Sequence, residues 1–419
     1  LLSKTIFALL VCVVAVAPIP YGTVEAWWKA VFVCVVFGIC ILSVLEIVIS
    51  NRLPINLPLL LLPLLALTTL AFLQSWTRIS GDPFQTRFFA LQLLALTAFL
   101  ALLYRYAATE QRMRLLVYVV IGVATASAIF GTLRLTTQHQ IGFLLPLLKP
   151  SQGFAQFVNK NHFAYLMEMG IGLLLGLSFA ERSKQNLLYL AFLSPLWVAL
   201  ALSNSRGGML AMLTQVIIAT MLLVRSTSLR FAFATLLVAG VIGGTLWIGG
   251  DRLANNVTLT APDAAVSAEI VTRENASRNE IWRATLKLFA AHPLLGVGLG
   301  GYWIGITAYH DASGVLVPQE AHNDYLELLA SGGVIGLAIG AWFAVTVIRL
   351  AKDNLSSSSG FVRALRLGAI LGIAGVAVHS LFDFGLHLIG NAVVFLTLIM
   401  MATAQIDSRK VVDLNLQHQ

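Results

Sequence analysis

Residues 27–49 read WWKAVFVCVVFGICILSVLEIVI, and this stretch decides the fold class. A helix rises about 1.5 Å per residue, so a run of this length crosses the ~30 Å hydrocarbon core of a bilayer. Working outward, apolar windows of similar size fall near 4–20, 57–75, 84–104, 114–135, 161–180, 187–203, 208–224, 230–249, 326–349, 362–382 and 386–406. The expectation is an all-α polytopic membrane protein of about twelve transmembrane helices. Composition agrees. The 419 residues are 58% hydrophobic and 11% charged, whereas a soluble domain carries roughly 25% charged residues. A mean hydropathy of +0.85 leaves too little polar surface to coat a soluble globule.

The net charge of +8 would suggest nucleic acid in a soluble chain. No run of five Lys or Arg occurs, and no zinc-finger or RNA-binding signature is present, so nucleic acid is excluded as a partner. The basic residues instead mark one side of a membrane. With the N-terminus in the cytoplasm, the inside segments hold fifteen Lys and Arg, from Lys4 to Lys410, against seven in the short outside segments. Both termini are therefore expected in the cytoplasm. Trp27, Trp28, Trp76, Trp247 and Trp303 fall near the outer boundaries, as an interfacial belt requires. Cys12, Cys34 and Cys40 all sit in apolar runs and offer neither a disulfide framework nor a metal site. Ala15-Val16-Ala17 after Lys4 resembles a signal-peptide cleavage site, but Pro18 follows it, and the reading is an uncleaved first helix. Because the chain opens Leu1-Leu2 without Met, a few residues are expected to precede it.

The expected organisation is helices one to nine over 1–249, a periplasmic loop over 250–325, helices ten to twelve over 326–406 and a cytoplasmic tail over 407–419. Residues 355–360 read as a flexible cytoplasmic link, and no internal repeat suggests an inverted-repeat transporter. In the long loop, Ser277 and Glu280 form a capping box for an amphipathic helix over 278–291, expected to lie on the outer leaflet. His292-Pro293 ends it, and Gly296-x-Gly298-x-Gly300-Gly301 follows. That glycine pattern follows a helix rather than a strand, so it is no dinucleotide fingerprint.

Topology gathers unusual polar residues on one face. Asn159-Lys160-Asn161-His162 opens helix six, Ser203-Asn204-Ser205-Arg206-Gly207-Gly208 turns between helices seven and eight, and Arg278, Arg283 and Lys287 lie in the loop. His322-Asn323-Asp324-Tyr325 opens helix ten, and His379, Asp383 and His387 bracket the last outer turn. Each has a bland alternative. Arg206 could anchor at the interface, Arg278 could pair with Glu274 or Glu280, His322 could cap helix ten, and His379 with Asp383 could be an i,i+4 structural pair. Ionisable groups at membrane segments are nevertheless functional candidates. Glu320, His322, Asp324 and Glu327 have metal-ligand chemistry, but His322 and Asp324 point roughly 200° apart on a helix. No HExxH or EF-hand pattern occurs, so no metal or other cofactor is expected. Cations with a histidine suit a lipid-linked diphosphate, whose departing oxygens arginine forks can bind while the histidine accepts a hydroxyl proton. A transporter of such an anion would spread its polar groups along the midplane instead.

Five segments carry a resemblance: Asn159–His162; Ser205–Gly208; Arg278-x-x-x-Trp282 running to His292-Pro-Leu-Leu-Gly-Val-Gly-Leu-Gly; Ala321–Leu326 with Gly332-Gly333-Val-Ile-Gly336; and His379-Ser-Leu-Phe-Asp383-Phe384. Together, over 150–390, they resemble the O-antigen ligase family, which shares a membrane core in the GT-C glycosyltransferase class. The first 140 residues match in hydropathy alone. The resemblance implies transfer of a polysaccharide from undecaprenyl diphosphate to lipid A–core oligosaccharide at the periplasmic face of the inner membrane, without metal. It implies His322 as general base or acceptor-positioning residue, and Arg206 and Arg278 as diphosphate ligands. Asn161, His162, Asn323 and Asp383 are further substrate-binding candidates. O-antigen polymerases and protein O-oligosaccharyltransferases share the donor. The single moderate outer loop and the lack of an extra C-terminal periplasmic domain favour the ligase.

Overall fold

The computed structural model describes residues 2–51, 58–137, 153–180, 186–223, 278–310, 318–358 and 360–406, with 235 and 239 as isolated positions. Apart from those two positions, the expected span at 230–249 lies outside the described residues. So do the loop to 277, with Ser277 and Glu274, and the tail over 407–419. The described chain is helical: α1 (Leu2–Val16), α2 (Ala26–Ser50), α3 (Leu61–Trp76), α4 (Pro83–Ala107), α5 (Glu110–Thr136), α6 (Lys160–Ala180), α7 (Asn186–Leu202), α8 (Arg206–Leu223), α9 (278–291), α10 (Asp324–Ser356), α11 (Gly360–His379) and α12 (Ile389–Thr403). No strand occurs among the described residues.

Helices α2, α4, α5, α10 and α11 are each long and apolar enough to cross a membrane, and α1, α3, α7, α8 and α12 are shorter apolar helices. This is a polytopic helical membrane protein, with five long spans among the described residues. On α2, Ile41, Val44, Leu45, Val48 and Ile49 face outward. A continuous belt of exposed aliphatic side chains is stable in lipid and would drive association in water.

α6 is the centre of the bundle, since every residue from 162 to 178 is buried. A helix apolar on all sides needs neighbours on all sides. Against α11 the contact is backbone to backbone. A Cβ on Gly172 would stand 2.3 Å from the Gly372 nitrogen, and one on Gly176 would stand 2.2 Å from that of Gly368. Two Gly-x-x-x-Gly faces thus let the axes approach, as small residues do in lipid, where helix association depends on packing. This pairing sets the functional end of α6 beside that of α11.

α10 is broken at Gly333, whose φ of 65° and ψ of −166° are not helical. The glycine-rich segment after α9 fills the break. Val297 and Gly298 donate to the carbonyls of Ala330 and Ser331 at 3.1 and 2.9 Å, while Val334 donates to Pro293 at 2.9 Å. From α3, the Gln74 amide donates to Leu295 and Ser331 and accepts from Leu299. Every freed backbone group named here is satisfied, as an interrupted helix at membrane depth requires. The two glycine motifs noted in the sequence are therefore the two halves of one joint. α9 differs from expectation. Its Ala284 and Leu288 pack on Val297, Tyr302, Ile306, Ala321 and Ala330, so this apolar face is covered by protein.

At the opposite end of the bundle, Arg366 donates to the carbonyls of Asn354 and Ala404, near the C-terminal ends of α10 and α12. A cation there offsets the negative ends of two helices. Arg105 pairs with Glu46 at 3.0 Å.

Candidate active site at one end of the bundle

Residues 321–324 enter α10 through a tightly held corner. Asn323 caps the helix, accepting from the backbone of Tyr325 and Leu326 at 3.0 Å, while its Nδ2 donates to Leu381 at 2.9 Å. The Asp324 amide donates to Ser380, Glu327 accepts from the Ala321 amide at 2.8 Å, and the Trp282 indole donates to the Ala321 carbonyl at 3.0 Å. These bonds come from α9, α10 and the end of α11. They hold His322 at a φ of 51°, a left-handed conformation that costs a side-chain-bearing residue energy and marks functional sites.

That corner aims His322 at Asp383. Nδ1 stands 3.3 Å from Oδ1 of the carboxylate, with the histidine side chain 33% exposed and the aspartate 0%. Oδ1 also accepts from the Phe384 amide at 3.0 Å. Burial pushes the Asp383 carboxyl up, but the His322 hydrogen bond and the nearby His162, His322 and His379 outweigh it and hold the group at about 2. The carboxylate is thus ionised, and Nδ1–H of His322 donates to it. With Nδ1 so engaged, a neutral imidazole would present Nε2 as an acceptor, the arrangement general-base chemistry requires. Phe384 packs edge-on against His322 at 4.9 Å and against His162 at 4.7 Å between ring centroids.

His379 does not pair with Asp383 through its ring. Its Nδ1 lies 2.5 Å from Oε1 of Glu168, both groups wholly buried, and the ring stacks on Tyr165. Gly207 touches the other edge, where a Cβ would come within 2.5 Å of His379 Nε2. Glu168 was not singled out in the sequence, although a carboxylate within the apolar α6 run is the signal that could have found it.

Among the other candidates, Asn161 accepts from Ser205 at 2.9 Å, and Ser205 in turn accepts from the Gly208 amide, tying the start of α6 to that of α8. Arg206 is exposed at the first residue of α8, next in sequence to the Gly207 that packs on His379. Arg278 stands one turn before Trp282 on α9, half-buried, without a carboxylate partner among the described residues. His162 is buried, and its Nε2 has no partner. The structure therefore joins His322 to Asp383 directly and brings His162 in through Phe384. It places Arg206 and Arg278 on the flanking helices and commits both ends of the Asn323 amide to the corner.

A second cluster adjoins the first. His387 Nδ1 lies 3.3 Å from Glu320 and 3.5 Å from Glu327, and its Nε2 lies 3.5 Å from Asp324. Burial lowers this imidazole, but Glu327, Glu320 and Asp324 raise it further, to about 10. Glu320 is pushed up by burial and down by His387, Glu327 and Lys29, and rests at about 2. Glu320, Glu327 and His387 offer ligand atoms within 4.8 Å of one another and could hold a metal ion. The acidic set named in the sequence thus regroups around His387 rather than His322.

Residues 190–341 match the O-antigen ligase family. Over this segment, about a third of the chain, the protein is similar to that family. The segment contains Arg206, Arg278, the α10 joint and His322, while Asp383 and the α6 residues lie outside it. No curated protein matches the chain. Members of that family are glycosyltransferase-like enzymes.

Proposed function

We propose that the protein is an O-antigen ligase, moving a polysaccharide from undecaprenyl diphosphate to a sugar hydroxyl of lipid A–core at the periplasmic face of the bacterial inner membrane. The observation that carries this reading is His322 Nδ1 set on the buried, ionised Asp383. In the proposed reaction, Nε2 of His322 takes the proton of the acceptor hydroxyl as its oxygen attacks the anomeric carbon. The bond from that carbon to the diphosphate oxygen breaks, and the electron pair leaves on the diphosphate. Arg206 and Arg278 neutralise the charge that develops there. Asp383 fixes the tautomer and stabilises the imidazolium. No metal is assigned a step, and the termini are placed in the cytoplasm by the positive charges of the alternate segments.

The test uses purified full-length protein with undecaprenyl-diphosphate glycan and, separately, lipid A–core, a second lipid-linked glycan and a pilin-like protein. Modification of lipid A–core is expected, lost by about 10²-fold or more in His322→Ala. Modification of another acceptor alone would assign the chain to the polymerase or protein-glycosylating branch.

A further inference from the structure

A cavity of about 380 Å³ opens between α2, α4 and the segments on either side of α10's start, lined in part by Lys29, Gln92, Trp303, Glu320, Glu327 and His387. It adjoins the catalytic corner. His387 and His322 flank the same Phe384 ring, at 6.0 and 4.9 Å between centroids, and Asp324 touches His387 two residues beyond His322.

The lining discriminates between the two substrates of the proposed reaction. Two lining carboxyl groups, Glu320 and Glu327, face one imidazole and one ammonium, and Asp324 stands behind the imidazole, so no surplus positive charge remains for a diphosphate. Carboxylates and amides instead bind hydroxyl groups, and aromatic faces cover the apolar side of a sugar ring. Gln92 makes the independent observation. It is only 8% exposed, lines the cavity, and its amide has no hydrogen-bond partner among the described residues. An amide that no protein group engages can give a donor and an acceptor to a ligand in the cavity. Trp303, partly exposed at the same cavity, offers a ring face.

We infer that the cavity between α2, α4 and the α10 corner is a saccharide subsite for the acceptor, with Gln92 and Glu320 binding ring hydroxyls and Trp303 covering the ring. The donor diphosphate is held apart from it, on the side of Arg206 and Arg278. The inference rests on the transferase reading for the word acceptor, but saccharide binding can be measured without transfer.

Two measurements on the full-length protein in nanodiscs test it. The first is binding of deacylated core oligosaccharide, followed by saturation-transfer NMR. Wild-type protein is expected to bind, Gln92→Leu and Trp303→Ala to weaken binding by about tenfold or more, and inorganic pyrophosphate not to compete. The second is transfer kinetics, in which the same variants are expected to raise KM for lipid A–core while leaving KM for the donor unchanged. Trp303→Ala, at a partly exposed position, guards against a folding defect in Gln92→Leu. No oligosaccharide binding by wild type, competition by pyrophosphate, or variants that alter donor KM instead would each overturn the inference. Binding that a chelator abolishes and manganese restores would replace it with a cation site at Glu320, Glu327 and His387. Oligosaccharide binding lost in the variants, with no transfer by wild type to any acceptor, would keep the subsite and refute the ligase.

Discussion

Replacing Asp383 with Asn keeps the shape of the side chain and removes its charge. The Asp383 carboxyl rests at about 2 against an ordinary 3.8, a net preference for the anion of about 2.5 kcal/mol at ~1.4 kcal/mol per pKa unit. That figure already contains the opposing effect of burial, so it is a lower measure of what the surrounding imidazoles contribute. If His322 becomes an imidazolium in the transition state, losing the carboxylate forfeits a comparable amount. Each 1.36 kcal/mol is tenfold in rate, so transfer should slow by roughly two orders of magnitude. Folding should survive near pH 7, because the amide oxygen can still accept from Phe384, and the carboxylate's Oδ2 has no partner to lose. The assay is single-turnover transfer to lipid A–core by purified protein at matched, monodisperse concentration, with donor binding measured separately. Donor affinity should be unchanged while kcat falls. A variant with kcat within about threefold of wild type would refute the tautomer argument.

The remaining predictions concern stability and pH. Glu168→Ala leaves His379 without its partner in the interior and should destabilise by about 3–5 kcal/mol, read as a fall in Tm of the detergent-solubilised protein; an unchanged Tm would mean the pair is not formed. Gly176→Leu drives a side chain into the Gly368 backbone and should abolish the monodisperse peak in size-exclusion chromatography, whereas Gly38→Leu, where a Cβ meets nothing within 4 Å, should not. His387 is raised in the folded protein to about 10, so its contribution to stability is complete below its unfolded value of about 6.5 and is lost as pH rises through about 10. Thermal unfolding from pH 6 to 10 should therefore decline in wild type and decline less in His387→Gln. Equal slopes would sink that assignment.

The helices were legible because lipid imposes a simple rule, long apolar runs with basic residues on alternate ends. His322 and Asp383 were legible one at a time, as polar residues at helix ends on one face. Their contact was not, because it depends on the left-handed turn at His322 and on the bonds from Asn323 and Asp324 to Leu381 and Ser380, which join segments far apart in the sequence. Reading His379 and Asp383 as an i,i+4 pair treated one helix alone; Glu168, from another helix, takes His379 instead. The acidic set around 320–327 was tested against His322 and set aside, since His387 reaches it only through the fold. The amphipathic pattern of α9 fitted a membrane surface and a protein surface equally well. Periodicity reports that a face is buried and is silent on what covers it.

The break at Gly333 makes α10 and the segment before it a single unit of inheritance. The carbonyls of Ala330 and Ser331 and the amide of Val334 find their partners in residues 293–298, so neither piece is complete in lipid without the other. A chimera that imports residues 278–310 from a relative, to change which substrate is accepted, must import 330–336 with them. Substituted alone, either half would leave bare peptide groups facing hydrocarbon. In evolution the two glycine motifs are then expected to drift together, though some 35 residues separate them along the chain.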